Sequence, residues 1–351
     1  MKILIMAGGK GTRFYPLSTI DKPKQFISFL GNQSLLQQTV NRVLKLVSYD
    51  DIFIATNKNY QSLVEEQLPL LHKKNIIIEP MYKDTAAAIS FGMTYMSLFE
   101  ENPVVAVLAS DHMILDEEQF LSNLKQAFEL AKNNLIVTLG IKPLRAETGY
   151  GYIQVKDQTL NTPQEVISFL EKPKLETAQH YINDGNYMWN SGMFILSYQT
   201  LLKELELHHR SYIEVMTKLL PIMKSTEYAY LSEAVNETFH QFETLSIDYA
   251  LMEKTKAVVC IPVSFGWNDV GGYNALPEIL GIQEDGHTLN TNQYVYIDSK
   301  DNIVITDDMN KKVNTIGVSN MVIVSLKDEL LICSRDQTDQ IKDLLKQLKD
   351  A

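Results

Sequence analysis

The 351-residue chain has only two cysteines, no long apolar run, and fewer basic than acidic side chains. Cys260 and Cys333 lie in the apolar runs Val258–Ile261 and Leu331–Cys333, so neither a disulfide framework nor a cysteine-based metal site is available. Both read as small core residues in a reducing compartment. A membrane helix needs roughly 20 apolar residues. The run after Met1-Lys2 stops at Ala7 in glycines and charges, which is also too short for a secretion signal. The expectation is a cytoplasmic chain with no membrane partner. With 32 Lys and Arg against 43 Asp and Glu, the net charge of −11 argues against nucleic acid as a partner. Its seven histidines are dispersed, and neither a Gly-x-Ser-x-Gly elbow nor His-Glu-x-x-His occurs. These absences agree with a reaction whose nucleophile belongs to a substrate while the protein supplies position and charge stabilisation.

What is present is concentrated near the start. Ile3–Ala7 is a continuous apolar run, the pattern of a strand buried on both faces, and it empties into Gly8-Gly9-Lys10-Gly11-Thr12-Arg13. A loop at the carboxyl end of a strand in an open α/β sheet borders the crevice where ligands bind. Gly8, Gly9 and Gly11 allow backbone N–H groups to approach phosphate oxygens. Arg13 offers a bidentate grip, and Lys10, Lys22 and Lys24 offer point charges, a local concentration that an acidic protein needs to hold a polyanion. The dinucleotide fingerprint and the kinase loop fail because Phe14 stands where the third glycine belongs, and the P-loop fails because Thr12-Arg13 follows Gly11. A tight strand-to-helix turn with no ligand is the plainer alternative.

Up to about residue 275 the strand runs Ile52–Ala55, Ile76–Ile78, Val104–Ala109 and Leu135–Leu139 alternate with helical patterns at Leu35–Val47, Ala86–Phe99 and Glu118–Lys132. That alternation predicts an α/β fold with a mostly parallel sheet covered on both faces. Shorter strands at Tyr152–Val155, Val166–Leu170 and Met193–Leu196 predict a mixed-sheet insertion carrying substrate determinants, and Tyr198 to Lys254 is helical in composition. After a polar, turn-rich stretch from Gly281, the runs Tyr294–Asp298, Asn302–Thr306, Val313–Val318, Met321–Ser325 and Leu330–Cys333 predict an all-β appendage, giving a division into 1–280 and 281–351. A last helix from Gln337 to Lys349 aligns Ile341, Leu344, Leu345 and Leu348 on one stripe. That stripe needs a surface to cover it, in this chain or on a second subunit, and a homodimer is the expectation.

Two aspartates follow apolar or glycine-rich turns. Asp111, in Ser110-Asp111-His112 after Val104–Ala109, could hold Mg²⁺ against nucleotide phosphates or cap the helix after it. Asp269, in Trp267-Asn268-Asp269-Val270-Gly271-Gly272, could share that metal or form an Asx-turn. Glu171 and Asn190 suit sugar hydroxyls, which require donors and acceptors, and Lys172 could neutralise a sugar phosphate; strand ends also carry such residues routinely.

Taken together, the Ala7–Arg13 loop with Pro16-Leu17-Ser18, Pro23-Lys24-Gln25-Phe26, Glu79-Pro80 with Asp84–Ile89, Ser110-Asp111-His112, Gly149–Ile153, Glu171-Lys172-Pro173, Trp189–Phe194, Ser246–Tyr249 and Gly266–Gly271 stand in the order found in one family. Over nearly its whole length the chain resembles the sugar-nucleotide pyrophosphorylases, and among them the mannose-1-phosphate guanylyltransferases. The resemblance implies a Rossmann-like, glycosyltransferase-A-like nucleotide-diphospho-sugar transferase sheet with a small β-helix-like appendage. It implies in-line attack of mannose 1-phosphate on the α-phosphorus of GTP, with Mg²⁺. Ala7, Gly8, Gly9, Gly11, Thr12 and Ser110 would then hold the nucleotide, Arg13 the leaving pyrophosphate, and Glu79, Thr85 and Ala86 would line the guanine site. Lys24 would lie near the reacting phosphates, Asp111 and Asp269 would hold the metal, Gly151, Glu171 and Asn190 the sugar, and Lys172 its phosphate. Departures are Phe14-Tyr15 for a usual Leu-Trp, Asp84 for a usual Asn, and Ala87 and Ala109 for usual prolines. Another sugar 1-phosphate such as a manno-heptose, another nucleotide, or a catalytically silent regulatory subunit are the alternatives. The phosphomannose isomerase activity of longer relatives is not expected.

Overall fold

A computed structural model describes residues 1–9, 11–28, 31–225 and 232–350. Lys10 and part of the helical stretch from Tyr198 to Lys254 lie outside the described residues. The chain packs as two compact units, one of Met1–Gly8, Val40–Ser110 and Ile114–Trp267, the other of Gly9–Thr39, Asp111–Met113 and Asn268–Ala351. This division by packing differs from the linear one at 280/281, because 9–39, 111–113 and 268–280 group with the chain after 280.

The first unit contains strands β1 (Lys2–Met6), β2 (Ile52–Asn57), β3 (Ile76–Glu79), β4 (Val104–Ala109), β5 (Ile136–Ile141), β6 (Tyr152–Val155), β7 (Gln164–Leu170), β8 (Tyr187–Ser197) and β9 (Val258–Val263). They form one sheet in the order β3-β2-β1-β4-β8-β5-β9-β7-β6, with β6 also pairing β8. The β1 to β4 strands are mutually parallel, whereas β8 runs antiparallel to both β4 and β5, so the sheet is mixed. β1 sits between two strands, and Ile3, Leu4 and Ile5 are fully buried, which is why its apolar run is continuous. The helix expected over Leu35–Val47 is α1 (Leu35–Val43), and α2 covers Gln61–Gln67. Helix α3 (Asp84–Met96) is buried from Ala86 to Met96; a Cβ at its Gly92 would stand 2.9 Å from Leu4 Cδ2, so glycine is what allows helix and strand to approach. Helix α4 (Glu117–Ala131) is capped by Asp116, whose carboxylate accepts from Gln119 N at 2.9 Å. The capping role considered for Asp111 therefore belongs to Asp116. Helices α5 (Leu175–Asp184), α6 (Tyr198–His208), α7 (Arg210–Lys224) and α8 (Glu233–Phe239) complete the unit, together with a π-helical turn at Asp248–Met252.

One strand is longer than the sequence reading. Trp189-Asn190-Ser191-Gly192 is not a loop before Met193–Leu196 but the middle of β8, opposite a register shift between Thr138 and Gly140. Polar residues and a glycine at positive φ look like a strand break, yet they form a bulge within β8, where residues 191–193 stand opposite the single residue Leu139.

In the second unit, β10 (Thr288–Leu289), β12 (Ile303–Thr306), β14 (Met321–Ser325) and β15 (Leu330–Ser334) form one sheet, while β11 (Tyr294–Ile297) and β13 (Val313–Ile316) form another. All pairs are parallel except β14 with β15. Successive short strands alternating between two parallel sheets are the winding of a β-helix. Its core joins Ile303, Ile305, Val322 and Val324 to Phe14 from the glycine loop and to Val270 and Tyr273. Helix α9 (Leu276–Leu280) contributes Leu276, and α10 (Ile341–Asp350) contributes Ile341, with Leu344 and Leu345 packed against the same cluster. Three residues of the last helix's apolar stripe are thus covered within its own unit, while Leu348 is 50% exposed. Cys260 is fully buried in β9 and Cys333 packs beside the second core, both as free thiols. No helix among the described residues is long and apolar enough to cross a membrane.

Candidate active site

The phosphate-loop residues of the second unit are built around Lys24. A Cβ on Gly11 would lie 2.7 Å from Lys24 N, and Gly11 has φ +49°, so both space and backbone call for glycine. Ser18 Oγ donates to Gly11 O at 2.6 Å, and Gln25 Nε2 donates to Gly9 O at 3.0 Å, fixing the loop from two sides. Thr12 opens the single turn Thr12–Phe14, whose far end is held by Tyr273 Oη donating to Phe14 O at 2.8 Å. Arg13 is exposed, with Nη1 3.5 Å from Gly271 O, the outer limit of a hydrogen bond.

Lys24 itself is buried, and its ammonium donates to Asp269 O at 2.7 Å and Val270 O at 2.9 Å while pairing with Asp111 Oδ2 at 2.8 Å. An ammonium has three N–H groups, and three protein oxygens engage them. Lys24 is therefore a clamp that ties the Asp111 side chain to the Asp269 main chain, a set of contacts that the sequence reading did not foresee. The clamped turn is strained: Val270 is a buried β-branched residue at φ +50°, pinned there by its N donating to Asn268 Oδ1 at 2.7 Å. Asp269 Oδ1 accepts from Gly271 N at 3.1 Å, so the Asx-turn geometry considered for it is present. Burial opposes ionisation of Asp111, but Lys24 and then His112 outweigh it and hold the carboxyl below its ordinary range. The Asp111 side chain is 30% exposed, so the charge is presented to solvent. Two carboxylates suit a hard cation whose remaining ligands are phosphate oxygens. No group of three or more His, Cys, Asp and Glu side chains placed to hold a metal by themselves occurs among the described residues.

In the first unit, Ala7 is hydrogen-bonded into the sheet through Ala55 O at 2.7 Å, and Ser110 N donates to Met6 O at 3.2 Å. A Cβ on Gly8 would contact Glu79 Oε1 at 3.4 Å. Burial pushes the Glu79 carboxyl up to about 8. Thr85 and Ala86 are turned toward another segment: Thr85 Oγ1 accepts from Ile247 N at 2.9 Å, and Ala86 N donates to Leu245 O at 3.1 Å. Asp84 has φ +65°, a conformation asparagine and aspartate tolerate, and its Oδ1 accepts from Thr85 N at 2.7 Å. Both residue types supply that acceptor, which accounts for aspartate at this position.

The remaining candidates of the first unit meet in one place. A Cβ on Gly151 would lie 2.4 Å from Glu171 Oε2 and 3.3 Å from Asn190 Cβ. Glu171 Oε1 pairs with Lys172 at 2.8 Å, whereas Oε2 is buried with no hydrogen-bond partner among the described residues. Gly151 O accepts from Asn190 N at 2.8 Å. Lys172 stands at φ +46°, with its side chain 59% exposed. Burial lowers its affinity for a proton, but Glu171 and then Asp248 more than compensate and the ammonium is held above its ordinary range. Asp248 is a site residue to which the sequence reading gave no role. Its Oδ1 accepts from Asn190 Nδ2 at 3.0 Å, and burial first, then the Glu171 charge, push its carboxyl up to about 7. The signal was the Ser246–Tyr249 segment, which carried a resemblance but no local chemistry.

The structure thus holds two arrangements: a glycine loop beside the Lys24 clamp with Asp111 and Asp269, and a cluster of Gly151, Glu171, Lys172, Asn190 and Asp248. The chain belongs to the nucleotidyl transferase family, whose model matches residues 2–285. A second model, the mannose-P isomerase/GMP-like beta-helix domain, matches residues 292–348. Among curated proteins, the chain is 36% identical to a mannose-1-phosphate guanylyltransferase of Salmonella muenchen, over 99% of this chain and 73% of the relative. It is 34% identical to one of Escherichia coli strain K12, again over 99% and 73%. Among solved structures it is similar to a Thermus thermophilus protein described as a mannose-1-phosphate geranyltransferase, with TM-score 0.88, 29% identity and 99% of both chains covered. A Helicobacter pylori protein described as a mannose-6-phosphate isomerase aligns at TM-score 0.62 and 26% identity, over 76% of this chain and 98% of that one.

Proposed function

We propose that this chain transfers GMP from GTP to mannose 1-phosphate, releasing pyrophosphate. The observation that carries the reading is the near-complete likeness to relatives of that name, 36% identical over 99% of this chain. In this reading the Gly8, Gly9, Gly11 and Thr12 backbone receives the triphosphate, and exposed Arg13 neutralises the leaving pyrophosphate. Glu79 lies beside the base, where its buried carboxyl favours a ligand that brings N–H groups. Gly151, Glu171 and Asn190 hold the hexose, and Lys172 meets its phosphate. Asp111 and Asp269 would hold a divalent cation such as Mg²⁺, which would neutralise charge at the α-phosphate when bound. The side chains otherwise position reactants; none of them is asked to act as a nucleophile.

Pyrophosphate release measured with GTP, dTTP, UTP and CTP against a panel of sugar 1-phosphates tests this. The expected result is turnover restricted to GTP with mannose 1-phosphate and dependent on Mg²⁺. A preference for dTTP or UTP would remove the guanine assignment, and no release with any pair would remove the enzyme.

Gly151→Ala probes the sugar side. The added methyl would overlap Glu171 Oε2, which cannot easily retreat while Lys172 holds Oε1 and Glu253 Oε1 accepts from Glu171 N at 3.2 Å. Displacing one acceptor of a hydroxyl removes on the order of 1–3 kcal/mol, so the KM for mannose 1-phosphate should rise about tenfold or more. The KM for GTP should stay within about twofold, and an unchanged sugar-phosphate KM would move Glu171 out of the sugar site.

A further inference from the structure

Asn190 is held by both ends of its side-chain amide. Its Oδ1 accepts from Gly192 N at 3.0 Å, and its Nδ2 donates to Asp248 Oδ1 at 3.0 Å. An amide has two flips with opposite donor and acceptor patterns, and a carboxylate accepts only. The reverse flip would set the amino group against the Gly192 N–H, donor against donor, and turn the carbonyl oxygen to the Asp248 carboxyl, losing both hydrogen bonds of the observed flip. The observed flip leaves one N–H and one carbonyl lone pair of the amide for a ligand, in a fixed spatial order.

Asp248 is itself fixed from the other side. Leu245 N donates to Lys83 O at 3.3 Å, Ala86 N to Leu245 O at 3.1 Å, and Ile247 N to Thr85 Oγ1 at 2.9 Å, so Leu245 and Ile247, just before Asp248, are stitched to the start of α3. Asp248 then opens the π-helical turn, where Glu253 N donates to Asp248 O at 3.0 Å. A single π turn is a local rearrangement frequently found at functional sites. Here it sets a carboxylate against an asparagine 58 positions away in the chain.

We propose that Asp248 is a positioning residue of the sugar subsite: it fixes the Asn190 amide in one flip and so decides which pattern of hexose hydroxyls the subsite accepts. The inference rests on the reading of Gly151, Glu171 and Asn190 as a hexose site. Hexose epimers differ by exchanging a hydroxyl between axial and equatorial positions, and a site that orders one donor and one acceptor rejects the epimer that reverses them. With Glu171 Oε2 supplying a further acceptor across Gly151, the hydroxyl pattern is read at three atoms of known polarity.

The test is calorimetric binding of mannose 1-phosphate, glucose 1-phosphate and GTP to the whole chain and to Asp248 variants, with folding followed by thermal melting. Asp248→Ala should weaken mannose 1-phosphate about tenfold, the loss of one charge-assisted hydrogen bond. It should reduce the mannose-to-glucose ratio by a similar factor and leave GTP within about twofold. Asp248→Asn, which retains an acceptor for Asn190 Nδ2, should recover mannose 1-phosphate affinity to within about threefold of wild type. If the alanine variant does not fold, Asp248→Leu fills the site without an acceptor and should show the same two losses. A folded Asp248→Ala or Asp248→Leu with an unchanged epimer ratio overturns the inference, as does an equal loss for GTP and sugar phosphate, or an asparagine variant as impaired as the alanine one. Failure of the wild-type chain to bind any hexose 1-phosphate would instead overturn the hexose reading itself.

Discussion

Asp111→Asn is expected to lower pyrophosphate release by about a thousandfold while the protein stays folded, because one charged group at a phosphoryl-transfer centre contributes on the order of 10²–10³ in rate. Asparagine keeps the shape and an oxygen for Lys24, so the 2.8 Å contact survives as a neutral acceptor and the turn should not collapse. What disappears is the negative charge that a cation between carboxylates and phosphates requires. The substitution also removes a titration. Lys24 and His112 hold the Asp111 carboxyl below its ordinary 3.8, despite burial, so its ionised form stabilises the folded chain above that value. The stabilisation is lost as pH falls through the lowered value, where the unfolded chain binds the proton first. Wild-type stability should therefore fall more steeply than that of Asp111→Asn below about pH 4. Turnover within threefold of wild type would show that Asp111 has no part in the chemistry.

Lys24→Met is expected to lower turnover by about a hundredfold or more and also to destabilise the chain by about 2–3 kcal/mol, at or below the lower end of the roughly 3–5 kcal/mol for breaking a buried pair because Asp111 is partly open to water. Methionine matches the length of the side chain but leaves two carbonyls and a carboxylate facing a thioether. Val270 loses the bond that helps keep it at positive φ, a conformation costing roughly 1–2 kcal/mol for an ordinary L residue, so the Asp269 turn should relax. Lys24→Arg should not rescue it, since a planar fork cannot reach three acceptors arranged around one nitrogen. The two roles separate cleanly by calorimetry. A lysine whose only task is to touch a phosphate would be lost without cost to the fold, so unchanged melting together with lost turnover would return Lys24 to the phosphate and refute the clamp.

How far the sequence reached can be judged from particular residues. Strands β1 to β4 were legible because continuous apolar runs between turns have few other meanings, and an all-β appendage was legible from short β runs without helices between them, whereas its β-helix form was implied only by the resemblance. The strand through Trp189–Gly192 was not, because its polar bulge is held by pairing to a strand some fifty residues earlier, which no local pattern records. Of the candidate site, Gly11, Arg13, Asp111 and Glu171 were singled out through local chemistry. Asp248 was not, since an aspartate in a helical segment looks like surface until its partner is known.

By itself the sequence determined a glycine loop after a buried strand and aspartates after two further turns, with no recognised nucleophile–base motif. Those are properties of residue type and near-neighbour spacing, which steric freedom and charge make readable in one dimension. Only the tertiary structure decided that Lys24 ties Asp111 to the Asp269 turn, that the glycine loop packs with the C-terminal β-helix through Phe14 and Tyr273, and that Asn190 is hydrogen-bonded to Asp248. Each of those depends on which groups meet across dozens or hundreds of residues. A donor's three-dimensional surroundings settle whether it is engaged, and no local pattern records them.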